Sequence, residues 1–530
     1  MSILFRKGLL NAKLETTFRT DADPSDQLLA ATGINATSDV NDVNEQVTVT
    51  GHGFQSGDGP FHLTITSGAL PTGLAIATNY WVNRVGANEF TFHTTEAAAR
   101  AGTSAINLTD ATGVFAMTAR QSDALLVQEP DFTPEITTVE RENVKSTLSQ
   151  DPIRVARKTG TVTFQHEVRS NGITDGTLEP AVGRLLRGCG YAPTFIPTGT
   201  GTIVNDVTYE VNDPTGVFTF SKTTGFGGTL PRTVVMQCTT GGGTGVAEFT
   251  VFSPAVGTGG GTQAEVNTTG NVLTETSAFT LAESAQITVP SGGITTSFAT
   301  GDTYVFWLVP PGVLYTPVSS NFDSLTLELF FDGIKHEVRG SRGTFTLDAP
   351  AADIARFTFT FQGDYIDPSD SAQPASPVLE STIPPAVEEA AIFALGGADF
   401  DGTDPDEFNL CAQQFTIDQA NELAFRECIN APNSIEGGLI VDRSPVGTFN
   451  PETELEATHP FWTNLGDANR VVWGGRVGKV QGNVMSIFAP YTQYQGISYG
   501  NRNDIRTYEI DLWFARESDA GNDELMFHFS

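Results

Sequence analysis

The sequence predicts a mainly β protein, and three observations predict it. Thr, Val and Phe dominate the β-branched and apolar share, with 36 Phe against 5 Met, a balance that favours strands over helices. The 54 Gly and 28 Pro are spread along the chain as turns would require, not gathered in one tract. Short stretches of alternating polar and apolar residues recur between these turns. The 39 % apolar content is enough for packed cores, and 530 residues suggest roughly three or four domains.

Taken in order, the chain alternates three textures. From residue 41 to about 120 it is rich in Thr, Gly and Asn. Gln46-Val-Thr-Val-Thr reads as a strand, Gly51-His-Gly-Phe as a turn, and Phe61-His-Leu-Thr-Ile, Asn79-Tyr-Trp-Val-Asn-Arg-Val and Glu89-Phe-Thr-Phe-His as further strands. Thr95-Glu-Ala-Ala-Ala-Arg gives one helical turn, and Gly113-Val-Phe-Ala-Met returns to strand. This pattern predicts a small β-domain over 30–121. A similar texture over 196–312 is poor in charge, its basic residues being Lys222 and Arg232, and predicts a second.

The third texture surrounds these blocks and occurs twice. Its first copy runs through Phe132-Thr-Pro-Glu-Ile, Val139-Glu-Arg-Glu-Asn-Val and Ile153-Arg-Val-Ala-Arg-Lys-Thr-Gly-Thr-Val-Thr-Phe to a helical stretch at 178–190. The second runs through Phe415-Thr-Ile-Asp, Leu423-Ala-Phe-Arg-Glu-Cys and Leu439-Ile-Val-Asp-Arg-Ser-Pro-Val-Gly-Thr-Phe to a short helix at 455–466. Each closes on a hairpin whose last strand is Ile354-Ala-Arg-Phe-Thr-Phe-Thr-Phe or Ile505-Arg-Thr-Tyr-Glu-Ile-Asp-Leu-Trp-Phe. The matched order argues for internal duplication. Between the copies, the Pro, Ser and Asp of 367–391 mark an extended linker.

With 62 acidic against 29 basic residues, a net charge of −33 opposes binding to nucleic-acid phosphate, which rests on Lys and Arg. Cys189, Cys238, Cys411 and Cys428 form neither a disulfide framework nor a CxxC zinc motif and read as reduced, half-buried thiols. The first residues lack the apolar segment of an export signal, and Tyr304-Val-Phe-Trp-Leu-Val is too short to span a bilayer.

No catalytic constellation is evident: there is no HExxH, no GxSxG elbow and no GK[ST] phosphate loop. The expectation is a protein that is not an enzyme and holds no cofactor. One cluster, Asp399, Asp401, Asp404, Asp406 and Glu407, could offer oxygen ligands to calcium, but Gly402 comes too early for an EF-hand and Pro405 interrupts. It reads as a solvated acidic loop, and no metal is assigned. His52, His62 and His93 read as ordinary residues of the β-domain. Trp81, Trp307, Trp462 and Trp513 lie in apolar runs and read as core.

Residues 125–191 carry a resemblance. Leu-Leu-Val-Gln-Glu-Pro-Asp-Phe-Thr-Pro, Thr-Val-Glu-Arg-Glu-Asn-Val and Pro-Ala-Val-Gly-Arg-Leu-Leu-Arg-Gly-Cys-Gly-Tyr resemble the major tail tube proteins of long-tailed, siphovirus-type bacteriophages. So do Ser324-Leu-Thr-Leu-Glu-Leu-Phe-Phe-Asp-Gly-Ile-Lys-His-Glu-Val-Arg-Gly-Ser-Arg-Gly-Thr-Phe and Asp519-Ala-Gly-Asn-Asp-Glu-Leu-Met-Phe-His-Phe. The resemblance implies two tandem tail-tube β-sandwich or barrel domains, each with a short helix. The first would comprise 1–29, 122–195 and 313–366, and the second 392–530. Residues 30–121, which resemble the small Ig-like modules of phage virion surfaces, and 196–312 would be inserted β-domains.

The implied function is a virion tail protein assembled in the host cytoplasm. It would stack as rings with itself, as trimers of pseudo-six-fold symmetry. Tape measure and tail terminator proteins would be further partners, DNA would pass without specific binding, and no membrane is involved. A local basic excess, Arg141, Lys145, Arg154, Arg157, Lys158, Arg169, Arg184 and Arg187, is expected to pair in part with a neighbour's acids, drawn from 357–425. Two rivals are an Ig-like surface adhesin, which would need an export signal, and a β-sandwich glycosidase, which would need paired carboxylates in a cleft.

Overall fold

The computed structural model describes residues 8–109, 112–205, 207–211, 214–254, 265–388, 390, 392–396 and 410–530. Strands dominate, as the composition predicts, and helices are short: α1 Glu96–Ala101, α2 Ala181–Gly188 and α3 Phe461–Gly466. Every strand ladder between the named elements is antiparallel.

The largest sheet has 16 strands. In chain order they are β1 Gly8–Leu14, β2 Ala124–Leu125, β3 Val127–Val139, β4 Arg154–Glu167, β5 Tyr191–Ile196, β6 Gly312–Pro317, β7 Leu325–Phe331 and β8 Ile334–Pro350. There follow β9 Arg356–Asp370, β10 Phe393–Gly396, β11 Ala412–Asp418, β12 Val446–Pro451, β13 Val471–Val477, β14 Met485–Arg502, β15 Ile505–Phe514 and β16 Met526–Phe529.

One wiring occurs twice in this sheet. Hydrogen bonds join β1–β7–β8–β9–β4–β3, and in the same way β10–β13–β14–β15–β12–β11. The chain visits equivalent strands in the same order, and a helix follows the equivalent strands β4 and β12. The two sets fuse where Thr346–Pro350 of β8 pairs with Gln414–Asp418 of β11.

Strands within 30–119 form a separate seven-stranded sheet around Phe54, Phe61, Phe90, Phe92 and Phe115. Strands within 202–309 form a six-stranded sheet and two small ones around Phe226, Phe249, Phe298 and Phe306. In the first block α1 begins at Thr95, whose hydroxyl accepts from Ala98 N at 3.2 Å, and ends at Gly102 with φ 63°.

Local chemistry trims several expectations. Strand β3 ends at Val139, because the Glu140-Arg-Glu-Asn run beyond it is fully solvated and has no apolar face to bury. The helix expected over 178–190 is confined to Ala181–Gly188, because Pro180 holds an extended φ/ψ of −64°/152° and Gly190 turns out at φ 89°. The helix expected over 455–466 begins only at Phe461, after Pro460. Strand β9 runs to Asp370, four residues into the expected linker.

Candidate assembly surface

Period-two alternation gives the large sheet two faces. Phe164, Phe359 and Phe345 are register neighbours across β4, β9 and β8, as are Phe415, Phe449 and Ile510 across β11, β12 and β15. All are fully or almost fully buried in one core that spans both wirings. Each buried Phe contributes on the order of 2–3 kcal/mol of apolar transfer free energy, which fixes which face turns inward.

The opposite face is solvated and consists mainly of short polar and acidic side chains, with Val446 and Trp513 as apolar exceptions. One row runs Gln165, Thr358, Thr346, Asp418, Val446, Trp513 and Gln493 across seven strands. The next row runs Glu167, Arg356, Asp348, Thr416, Thr448 and Asp511. Side-chain bonds on this face confirm the facing: Thr163 to Thr360 in a neighbouring row at 3.4 Å, Thr416 to Thr448 at 2.7 Å, and Gln414 Nε2 to Asp348 Oδ1 at 2.6 Å. The rows' one guanidinium, Arg356, is drawn aside to Asp353 at 3.3 Å. The face is therefore threonine-lined, net acidic and continuous across the β8–β11 junction.

Two arms leave the sheet. The second, Asn421–Glu427 paired with Ile435–Arg443, lies on β8 and β9. Arg342 Nη1 donates to Gly438 O at 2.6 Å, and Asn421 Nδ2 donates to Gly343 O at 2.9 Å and Cys189 O at 2.8 Å. The first arm, between the ends of β3 and β4, exposes Val139, Val144, Leu148, Ile153 and Val155, with Val144 and Leu148 at 106 %. It has no comparable bed among the described residues.

The local basic excess finds many of its partners inside the chain. Lys158 meets Asp367 at 2.5 Å, Arg169 meets Glu380 at 3.4 Å, Arg157 meets Glu427 at 3.2 Å and Lys145 meets Asp151 at 2.7 Å. Arg184 bonds Asp123 at 2.8 Å and Arg187 bonds Glu96 at 2.8 Å. Among the described residues no ion pair involves Arg141 or Arg154.

Trp307 is core, stacked at 5.1 Å on Phe488, but Trp462 and Trp513 are not: they stand 39 % and 36 % exposed. Their apolar sequence neighbours are buried, but alternation turns Trp513 to the wet face. Cys411 is likewise exposed, whereas Cys189 and Cys238 are buried, and all four thiols are free. The three histidines of the first block do not converge. His52 Nδ1 accepts from Phe54 N at 2.9 Å, His62 bonds Asn79 at 2.9 Å, and His93 bonds Thr91 and Thr103 O, each at 2.8 Å. Asp399, Asp401, Asp404, Asp406 and Glu407 lie outside the described residues, and among the described residues no cluster of three metal-ligating side chains occurs.

A cavity of about 280 Å³ beside α1 and α2 gathers Lys13, Asp58, Glu96, Arg100, Asp123 and Arg184. Its charges are committed to one another, with Lys13–Asp58 at 2.7 Å and Arg100–Glu96 at 2.7 Å. The cavity thus works chemically as an ionic seam between residues 30–121 and the large sheet. No family model matches the chain, and no curated protein matches it either.

Proposed function

We propose that this chain is a structural subunit of a phage tail tube. It assembles with itself into stacked rings whose acidic channel conducts genomic DNA into the host without turnover. The observation that carries the reading is the wet face: Thr, Gln and carboxylates in register across two copies of one six-strand wiring, backed by a shared Phe core. Carboxylates repel phosphate, and neutral hydroxyls offer no cation to condense on it, so a polyanion slides past with little adhesion. A closed ring also pairs the edges that an isolated sheet leaves exposed.

Two copies per chain make the ring a trimer of pseudo-six-fold symmetry, a closed arrangement that satisfies head-to-tail contacts. Adjacent rings must then stack through apolar and strand contacts strong enough to outweigh repulsion between acidic subunits. Negative-stain microscopy of the purified protein tests the reading. Stacked rings or tubes with three chains per ring are expected; a monodisperse monomer at high protein concentration would overturn it, and six chains per ring would overturn the two-copy arrangement.

A further inference from the structure

We infer that the β8–β11 junction inside the chain is repeated between chains. The free part of β14 in one chain pairs antiparallel with β3 of a second copy, and the first arm of that second copy lies across the first chain. This rests on the self-assembly reading for its partner, but its geometry comes from the strand wiring alone.

In the first wiring, the start of β8 pairs with β7, through Ser341. Its end, Thr346–Pro350, is left to receive β11. In the second wiring, the start of β14 pairs with β13 up to Thr492. Among the described residues, its end, Gln493–Arg502, pairs with β15 only. That end occupies the position of the β8 segment that receives β11. The strand equivalent to β11 is β3, which is the outermost strand at one end of the sheet and, among the described residues, pairs with β4 only. Two long open edges, each the counterpart of one side of a joint that the chain already makes, are complementary ends of a head-to-tail contact.

The arms follow the same logic. The second arm, an extension of β11, crosses β8 and β9, and its tip reaches the root of the first arm, where Arg157 meets Glu427. The first arm is the matching extension of β3. Carried by the same operation, it crosses β14 and β15 of the neighbour. That would cover Val144 and Leu148, which no bed among the described residues of their own chain covers, against the helix side of that sheet, where Tyr499 and Trp462 stand exposed with ring centroids 5.7 Å apart. Both surfaces are apolar patches rimmed by polar groups, as an interface requires.

Cysteine cross-linking of the full-length chain tests the joint. In a Cys411→Ser, Cys428→Ser background, Thr133→Cys on β3 is combined in turn with Ile497→Cys, Ser498→Cys or Tyr499→Cys on β14, then oxidised with glutathione disulfide. At least one pair is expected to give covalent dimers and trimers on a denaturing gel, lost on reduction, while each single-cysteine variant stops at the dimer or below. Deleting 142–150 is expected to lower the yield of rings at least tenfold while the monomer's circular dichroism is retained. Rings in the microscope without cross-linked trimers from any pair would overturn this joint and leave the ring reading standing. Absence of both rings and cross-links would overturn the two together.

Discussion

Arg187 of α2 and Glu96 at the start of α1 meet at 2.8 Å, joining the helix of the large sheet to the separate sheet of residues 30–119. Arg187 is 7 % exposed and also bonds Asp323 at 2.8 Å. Burial opposes ionisation of Glu96, but Arg187 and Arg100 outweigh it and hold the carboxyl down at about 2. A depressed carboxyl adds stability above its unfolded value of 4.5, and that stability is lost as pH falls from 4.5 towards 2. Glu96→Gln is expected to cost about 3 kcal/mol at pH 7, since it leaves a buried guanidinium short of a charge. The gap to wild type should shrink to roughly half by pH 3 and close only below about pH 2. Urea titration at both pH values checks this, and an equal gap at both would show that the carboxylate is not what matters.

The same contact bears on removing residues 34–118. Their ends meet the large sheet at loop positions where insertion is tolerated, so replacing them with a short Gly/Ser linker is expected to leave ring formation intact. The deletion should still lower the melting temperature, because Arg187 and Lys13 lose Glu96 and Asp58. Arg187→Met in the deletion background should restore part of that loss. A folded deletion protein that forms no rings would refute the peripheral role.

His528 is fully buried between β6 and β14, and burial pushes its imidazole down to about 3. Below 6.5 the unfolded chain takes up a proton there that the folded chain refuses. Stability therefore falls as pH drops from 6.5 towards 3, by about 1.4 kcal/mol per unit from this group. His528→Gln is expected to flatten that part of the pH–stability curve relative to wild type. Parallel curves for the two proteins would sink the assignment.

The wet face should govern contact with DNA. Asp348→Lys, Asp418→Lys and Asp511→Lys together place three cations on the solvated rows without touching the Phe core. The triple variant is expected to fold and to retain duplex DNA at low salt, releasing it as screening rises, whereas wild type retains none. Filter binding across a salt series measures this. Retention by wild type at low salt would contradict a non-adhesive face.

Charge on the first arm should set the register of assembly. Arg154 has no ion-pair partner among the described residues, and Arg157 makes only an exposed contact to Glu427 at 3.2 Å. Arg154→Glu with Arg157→Glu is expected to weaken ring formation several-fold, and high salt should weaken the wild type in the same direction. Sedimentation velocity reads both, and indifference to both would remove the idea.

Much of the architecture is legible in the residues themselves. Thr-Phe-Thr-Phe alternation in β9 and Gly-Thr-Val-Thr-Phe in β4 specify strands with one apolar face. The repeated order of strands and helix can be read because local pattern survives divergence of individual residues. Helix limits were set by Pro180 and Pro460, local signals that the apolar pattern overran. The candidate surface was not legible, because no sequence pattern says that Asp348 lies beside Thr416, or Val446 beside Trp513. Trp513 looked like core since its neighbours Leu512 and Phe514 are core, and only the phase of the pleat turned it outward. The sequence by itself determined strand content, alternation and the acidic excess, all consequences of local sterics and composition. Tertiary structure decided which acids share a face, which bases are already paired and which edges stay open, because those depend on register between segments hundreds of residues apart.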